Sequence, residues 1–301
     1  VKRIFVPKFL NDRRITFEEA HTRIAKAIRE STPYAMGKIG GTETRSLYHA
    51  DRILQLEWPY SMSWLKYARQ LHMLSGVFPV TKETFYEFCD FYRSQVLPNV
   101  DYLTLWQYKT KEAALAKRHA RGARFSQDGI FPDFIRGSWL ESLGGKRVLV
   151  ISPFAETIQS QYANRVEIWK AIPGLLPEFD LITLKCPIYS HMVPPEHPSW
   201  MAALRQLCAE CDALEYDVLI AGAGAWGLPL ATHAKSRGKV GIHMGGITQM
   251  VFGIKGGRWD QWGEQMHFYN EHWTYPSEEE TPQGVEQIEG ACYWKPASGS
   301  N

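Results

Sequence analysis

Asp217-Val218-Leu219-Ile220-Ala221-Gly222-Ala223-Gly224-Ala225-Trp226-Gly227 decides the fold. An apolar run without polar alternation enters a glycine-rich turn, and residues 227–237 then carry a helical pattern. That is the signature of a buried strand feeding a helix. The unit recurs on both sides. Lys239–His243 reads as the next strand. Upstream, Lys146–Phe154 reads as a strand, Glu156–Ala171 as a helix, Phe179–Leu184 as a strand and 199–214 as a helix. Strands alternating with helices predict an α/β fold with a mostly parallel sheet flanked by helices.

The N-terminal half is less regular. Phe17, Ala20, Ile24 and Ile28 recur at helical spacing over 17–31, and Tyr34–Ile39 reads as a short strand. Gly40-Gly41-Thr42-Glu43 is then a turn, with a helix resuming near Thr44. Residues 60–125 read as a helical, aromatic-rich insertion. One domain over 1–301 is expected, with Gly144-Gly145 as the best lobe boundary.

Composition narrows the function classes. Apolar residues at 45% of 301 exclude a wholly disordered chain. A net charge of +2 is too small for a general nucleic-acid coat, though it leaves room for a local basic groove. Five cysteines, an odd number, argue against a disulfide framework and for a reducing, cytoplasmic setting. The opening Val1–Lys8 has no apolar run of signal-peptide length, and no stretch is long enough for a membrane span.

Ligands of open α/β sheets bind beyond the carboxyl ends of the strands. Three loops are expected there: Ser152–Ala155 with Phe154, Gly222–Gly227 with Gly224 and Trp226, and His243–Gly246 with Gly245. Glycines let backbone N–H groups approach phosphate oxygens at a helix start. A dinucleotide fold also needs a ribose-binding acid at the end of the following strand. That strand ends at His243, so NAD is disfavoured and a nucleotide or sugar-nucleotide diphosphate fits better. His243, Thr248 and Gln249 offer hydrogen bonds to phosphate or sugar, and Lys255 and Arg258 on the next loop suit a phosphate. Glu43 suits a polar ligand, a metal, or simply the first turn of a helix.

Residues 217–230, 241–246 and 252–259 together resemble the GT-D type glycosyltransferases. Lys38–Glu43, Val150–Phe154 and Glu289–Trp294 resemble the same family, whereas 55–140 does not. The resemblance implies a Rossmann-like sheet and hexosyl or related transfer from a nucleotide-sugar donor, commonly a UDP-sugar. The acceptor would be a hydroxyl of a glycan, glycoconjugate or nucleic acid. The family's Asp-x-Glu motif helps hold a metal, and here the aligned triplet is Gly41-Thr42-Glu43. Either Glu43, diphosphate oxygens and waters hold Mn²⁺ or Mg²⁺, or Lys38, Arg45 or Lys255 neutralises the diphosphate directly. Donor contacts are expected from Gly40, Gly41, Thr42, Ser152, Phe154, Gly222, Gly224, Trp226, Gly227, Gly245, Gly246, Gln249 and Lys255. The base would be Glu43, Glu156, Asp128 or His243, with Glu43 and His243 preferred. A NAD-type oxidoreductase and a non-catalytic nucleotide- or glycan-binding module are the alternatives.

Other features have plainer readings. Cys208-Ala209-Glu210-Cys211 falls in a helical pattern without a second pair at zinc spacing. His191 and His197 lie in a proline-rich loop suited to cover a site. Lys109, Lys111, Lys117, Arg118, Arg121 and Arg124 form either a solvated face or a contact for an anionic acceptor. Trp259, Trp262, Trp273, Phe268 and Tyr269 pack the core or stack on sugar rings.

Overall fold

The computed structural model describes residues 12–56, 63–105, 109–126, 139–187, 192–261 and 265–296. Seven parallel strands form one sheet in the order β3-β2-β1-β7-β6-β4-β5. The strands are β1 (Tyr34–Lys38), β2 (Tyr102–Thr104), β3 (Arg124–Ser126), β4 (Arg147–Ser152), β5 (Asp180–Lys185), β6 (Val218–Ala221) and β7 (Val240–His243). The N-terminal half thus supplies three strands as well as helices, so 60–125 is more than a helical insertion. Tyr34 of β1 pairs with Val240 of β7, so the halves share the sheet, and Gly144-Gly145 is a turn leading into β4.

Helices cover both faces. They are α1 (Phe17–Glu30), α2 (Gly41–Leu56), α3 (Ser63–Ser75), α4 (Lys82–Phe91), α5 (Lys109–His119), α6 (Ala155–Ala163), α7 (Arg165–Ile168), α8 (Trp200–Asp212), α9 (Gly227–Ser236), α10 (Ile247–Val251) and α11 (Gly257–Asp260). Alternate strand residues enter different cores, as the two-residue period requires. Leu149, Ile151, Leu219 and Ala221 pack with residues of α2, α3, α4, α8 and α9. Val148, Val150, Val218, Ile220, Val240 and Ile242 pack with α1, α6, α10 and the C-terminal segment. Because both faces are covered, β6 and β7 are buried at every residue, which explains the unbroken apolar run of β6.

Local chemistry fixes the helix starts. Thr16 caps α1 by accepting from Glu19 N at 3.1 Å, and Ser199 caps α8 by accepting from Ala202 N at 3.2 Å. The Ala231 carbonyl of α9 packs so closely on β7 that a Cβ at Gly241 would stand 2.0 Å from its oxygen. Backbone cannot step aside as a side-chain tip can. Gly241→Ala should therefore destabilise by about 3 kcal/mol, read as a lowered urea midpoint. Gly122→Ala, in open space, should stay within roughly 0.5 kcal/mol.

Two connections diverge above the sheet. β4 leads to β5 on one side, whereas β6, its other neighbour, leads away to β7. Such a switch point opens a crevice at the carboxyl ends of the strands.

Candidate active site

A cavity of about 390 Å³ occupies that crevice. Its floor is the carboxyl edge of the sheet: Lys38 ends β1, Ser152 ends β4, Gly222 follows β6 and His243 ends β7. All the expected contact residues line it except Gly227 and Lys255. Tyr92, Phe154, Trp226, Tyr293 and Trp294 give it aromatic walls, and Lys38, Arg45 and Arg258 bring positive charge against Glu43 and Glu289.

Glu43 stands in the first turn of α2, which begins three residues earlier than the sequence suggests. Its carboxylate folds back over Gly40, where a Cβ would lie 2.1 Å from Oε2. Burial raises its pKa above the usual range, against the opposing pull of a hydrogen bond from Ser75 and the charges of Lys38 and Arg45. Lys38 is pushed down to about 8 by burial and then by Arg258, with Glu43, Glu112 and Glu289 acting against the shift.

The glycines of the 222–227 turn serve different ends. A Cβ at Gly227 would meet His243 Nδ1 at 1.9 Å, so this glycine makes room for the imidazole. Gly222 makes room for Thr248, whose Oγ1 would stand 2.7 Å from a Cβ there. Gly224 serves the backbone, with φ +50°, rather than a close neighbour: a Cβ there would meet only Ser75 O, at 3.7 Å. Tyr92, in the π-helical turn that follows α4, donates its hydroxyl to Ala225 O at 2.6 Å and so fixes the turn. The Nε1 of Trp226 and the Oγ1 of Thr248 are buried in the cavity lining with no protein partner.

His243 is less suited to the role of base than its place suggests. Its pKa is lowered to about 3 by burial and by Lys38, so the ring is neutral. Its Nδ1 lies 3.2 Å from Ala221 O and must be the protonated nitrogen to bond it. So weak a base takes up a proton poorly. Glu156 is exposed and pairs with Lys185 at 3.1 Å, while Asp128 lies outside the described residues. Glu43 is the better candidate.

The C-terminal segment closes one wall, which local spacing does not reveal. Glu280, fully buried, accepts from Glu156 N at 2.8 Å, Thr157 N at 3.2 Å and Thr157 Oγ1 at 2.5 Å. It thereby fills the start of α6, which is closed to a phosphate. Gln249 lines the cavity, yet its amide is engaged by Tyr293 O at 2.8 Å and Trp259 Nε1 at 3.2 Å. Lys255 points elsewhere, over the rings of Tyr269 and Tyr275 at 5.4 and 5.9 Å. Arg258, three residues on, is the cation this loop delivers. Arg258 bonds Tyr293 Oη at 3.1 Å and pairs with Glu289.

Among the described residues no three His, Cys, Asp or Glu side chains converge. Glu43 lies beside cations and Glu289 is already paired, so this donor set does not fit a divalent ion, which takes several oxygen ligands. In the basic stretch, Arg118 pairs with buried Asp51 at 3.0 Å and Arg124 donates to Asp12 O at 2.8 Å. Cys208 and Cys211 are free thiols on α8, pushed up to about 11 and 12 by burial. Trp259 and Trp273 are buried in the core, whereas Trp262 and His191 lie outside the described residues. No helix among the described residues is long and apolar enough to cross a membrane.

No family model, curated protein or solved structure matches the chain.

Proposed function

We propose that the cavity binds a nucleotide-sugar diphosphate, a UDP-sugar first, and that the protein is a glycosyltransferase. One observation carries the reading: Lys38, Arg45 and Arg258 meet the glycine turns inside a single aromatic-walled cavity at the switch point of the sheet. Cations and backbone N–H groups suit a diphosphate, and aromatic rings suit a base and a sugar. The resemblance of the three turns and of Glu289–Trp294 to GT-D enzymes supports the same conclusion.

In the reaction, the acceptor hydroxyl oxygen bonds the sugar's anomeric carbon and the bond to the diphosphate breaks. Glu43, with its raised pKa, takes the acceptor's proton. Lys38 and Arg258 meet the charge growing on the leaving nucleoside diphosphate. No metal is required in this scheme, because side-chain cations occupy its place.

The test is thermal stability with UDP, GDP, CMP, NAD and several sugar nucleotides, each with EDTA or Mn²⁺. UDP at 100 times its dissociation constant should stabilise by about 2.7 kcal/mol. The shift should persist in EDTA. It should also weaken as pH rises through about 8, where Lys38 loses its charge. A shift with NAD and none with nucleoside diphosphates would overturn the reading in favour of an oxidoreductase.

A further inference from the structure

Glu289 and Arg258 form an ion pair in the lining of the cavity, and the backbone that presents Glu289 is unusual. Glu289, Gly290 and Ala291 have φ of 48°, 67° and 59°. Three successive left-handed residues are rare, and two of these carry a Cβ, which disfavours that region. The turn is held by backbone hydrogen bonds, Gly290 N to Glu286 O and Cys292 N to Ile288 O, both at 3.1 Å, and from it the Glu289 carboxylate reaches Arg258. Arg258 has anchors other than Glu289, on the same segment: its backbone N–H donates to Cys292 O at 3.0 Å, and its guanidinium lies 4.8 Å from the Tyr293 ring centre. The side chain of Arg258 is 23% exposed and that of Glu289 54%. The cation belongs to the cavity wall, and the carboxylate reaches in from the solvent side. Glu289 also acts electrostatically on Lys38, the other cation on which the diphosphate reading depends.

A ligand oxyanion at Arg258 and the Glu289 carboxylate would compete for the same donors and repel each other. We propose that Glu289 is an intramolecular placeholder for a phosphate group of the ligand: Arg258 is the anion-binding residue of this subsite, and a diphosphate enters by displacing Glu289. The Glu289 side chain, more than half exposed, can swing to solvent while the backbone of the turn stays in place. The proposal rests on the diphosphate reading of the cavity but not on sugar transfer.

Inorganic pyrophosphate is the probe, titrated by calorimetry into the wild type, Glu289→Gln, Arg258→Gln and the double variant. Glu289→Gln keeps the shape and removes the charge. It should bind pyrophosphate about five-fold more tightly, the factor that a partly exposed ion pair carries. The gain should vanish in the Arg258→Gln background. Ala291→Gly eases the backbone but leaves the carboxylate in place, and should give no such gain. Equal affinity in wild type and Glu289→Gln, a gain that survives without Arg258, an equal gain in Ala291→Gly, or no binding by any variant would each overturn the placeholder. If pyrophosphate behaves as expected but no UDP-sugar is bound or turned over, glycosyl transfer alone falls. If UDP binds and is unaffected by Glu289→Gln, the placeholder falls and the transfer reading stands.

Discussion

Replacing Glu280 by alanine should lower the free energy of unfolding by about 3–5 kcal/mol, a large part of the 5–15 kcal/mol typical of a folded domain. The carboxylate is fully buried and serves three donors at the start of α6. Two of those donors are backbone N–H groups that the helix itself cannot satisfy. The positive end of the helix dipole adds to the attraction. Without the carboxylate, Glu156 N, Thr157 N and the Thr157 hydroxyl lose their partner in a site that Ser277 and Trp294 also close. Ser277 N donates to Thr157 Oγ1 at 3.1 Å, and Trp294 Nε1 donates to Glu280 O at 2.8 Å. Glu280→Gln retains one acceptor oxygen and should cost roughly half as much. The check is urea unfolding followed by tryptophan fluorescence. Because Glu280 ties down the segment carrying Glu289, Tyr293 and Trp294, the alanine variant should also bind UDP poorly below its unfolding midpoint. A midpoint equal to that of wild type would show that the segment docks by other means.

The strands of the second half are legible because each is an apolar run closed by glycine or a polar turn. β4, β5, β6 and β7 fall within a residue or two of their expected bounds, apart from the loop end read into β4. β2 and β3 are not legible. Each spans three residues, too few for any period, and Arg124–Ser126 is partly polar. Their place in the sheet comes from pairing with β1 and with each other, not from local pattern. The turns that floor the cavity are likewise visible as glycine clusters, but the purpose of each glycine is not. Gly227 suggests a phosphate, yet what approaches it is His243 from the neighbouring strand. Lys255 and Arg258 look equivalent in one basic loop, and only the packing of Tyr269 and Tyr275 against one of them separates the two. Glu280 meets Thr157 across 123 positions, a separation that no spacing rule reaches.

Glu43→Gln should reduce sugar transfer by about 10²–10⁴-fold while leaving UDP affinity within a few-fold of wild type. Glutamine fills the same space over Gly40 and still offers Ser75 an acceptor, but it cannot take a proton. The variant should not lose stability at neutral pH. Glu43 has a folded pKa above its usual 4.5, so the folded state holds this proton more firmly than the unfolded state does. Stability from this group is fully present below 4.5 and falls as pH rises through the folded value, where the buried charge must form. Glutamine has no such charge to form. The stability of Glu43→Gln relative to wild type should therefore grow from about pH 4 toward neutrality, as measured by paired urea titrations. A variant that gains stability as it loses activity is the expected mark of a buried carboxylate kept for chemistry rather than for packing. Full transfer activity in Glu43→Gln would remove Glu43 as the base. A stability deficit that widens with pH would mean that the carboxylate is held by Lys38 and Arg45 as a structural ion pair instead.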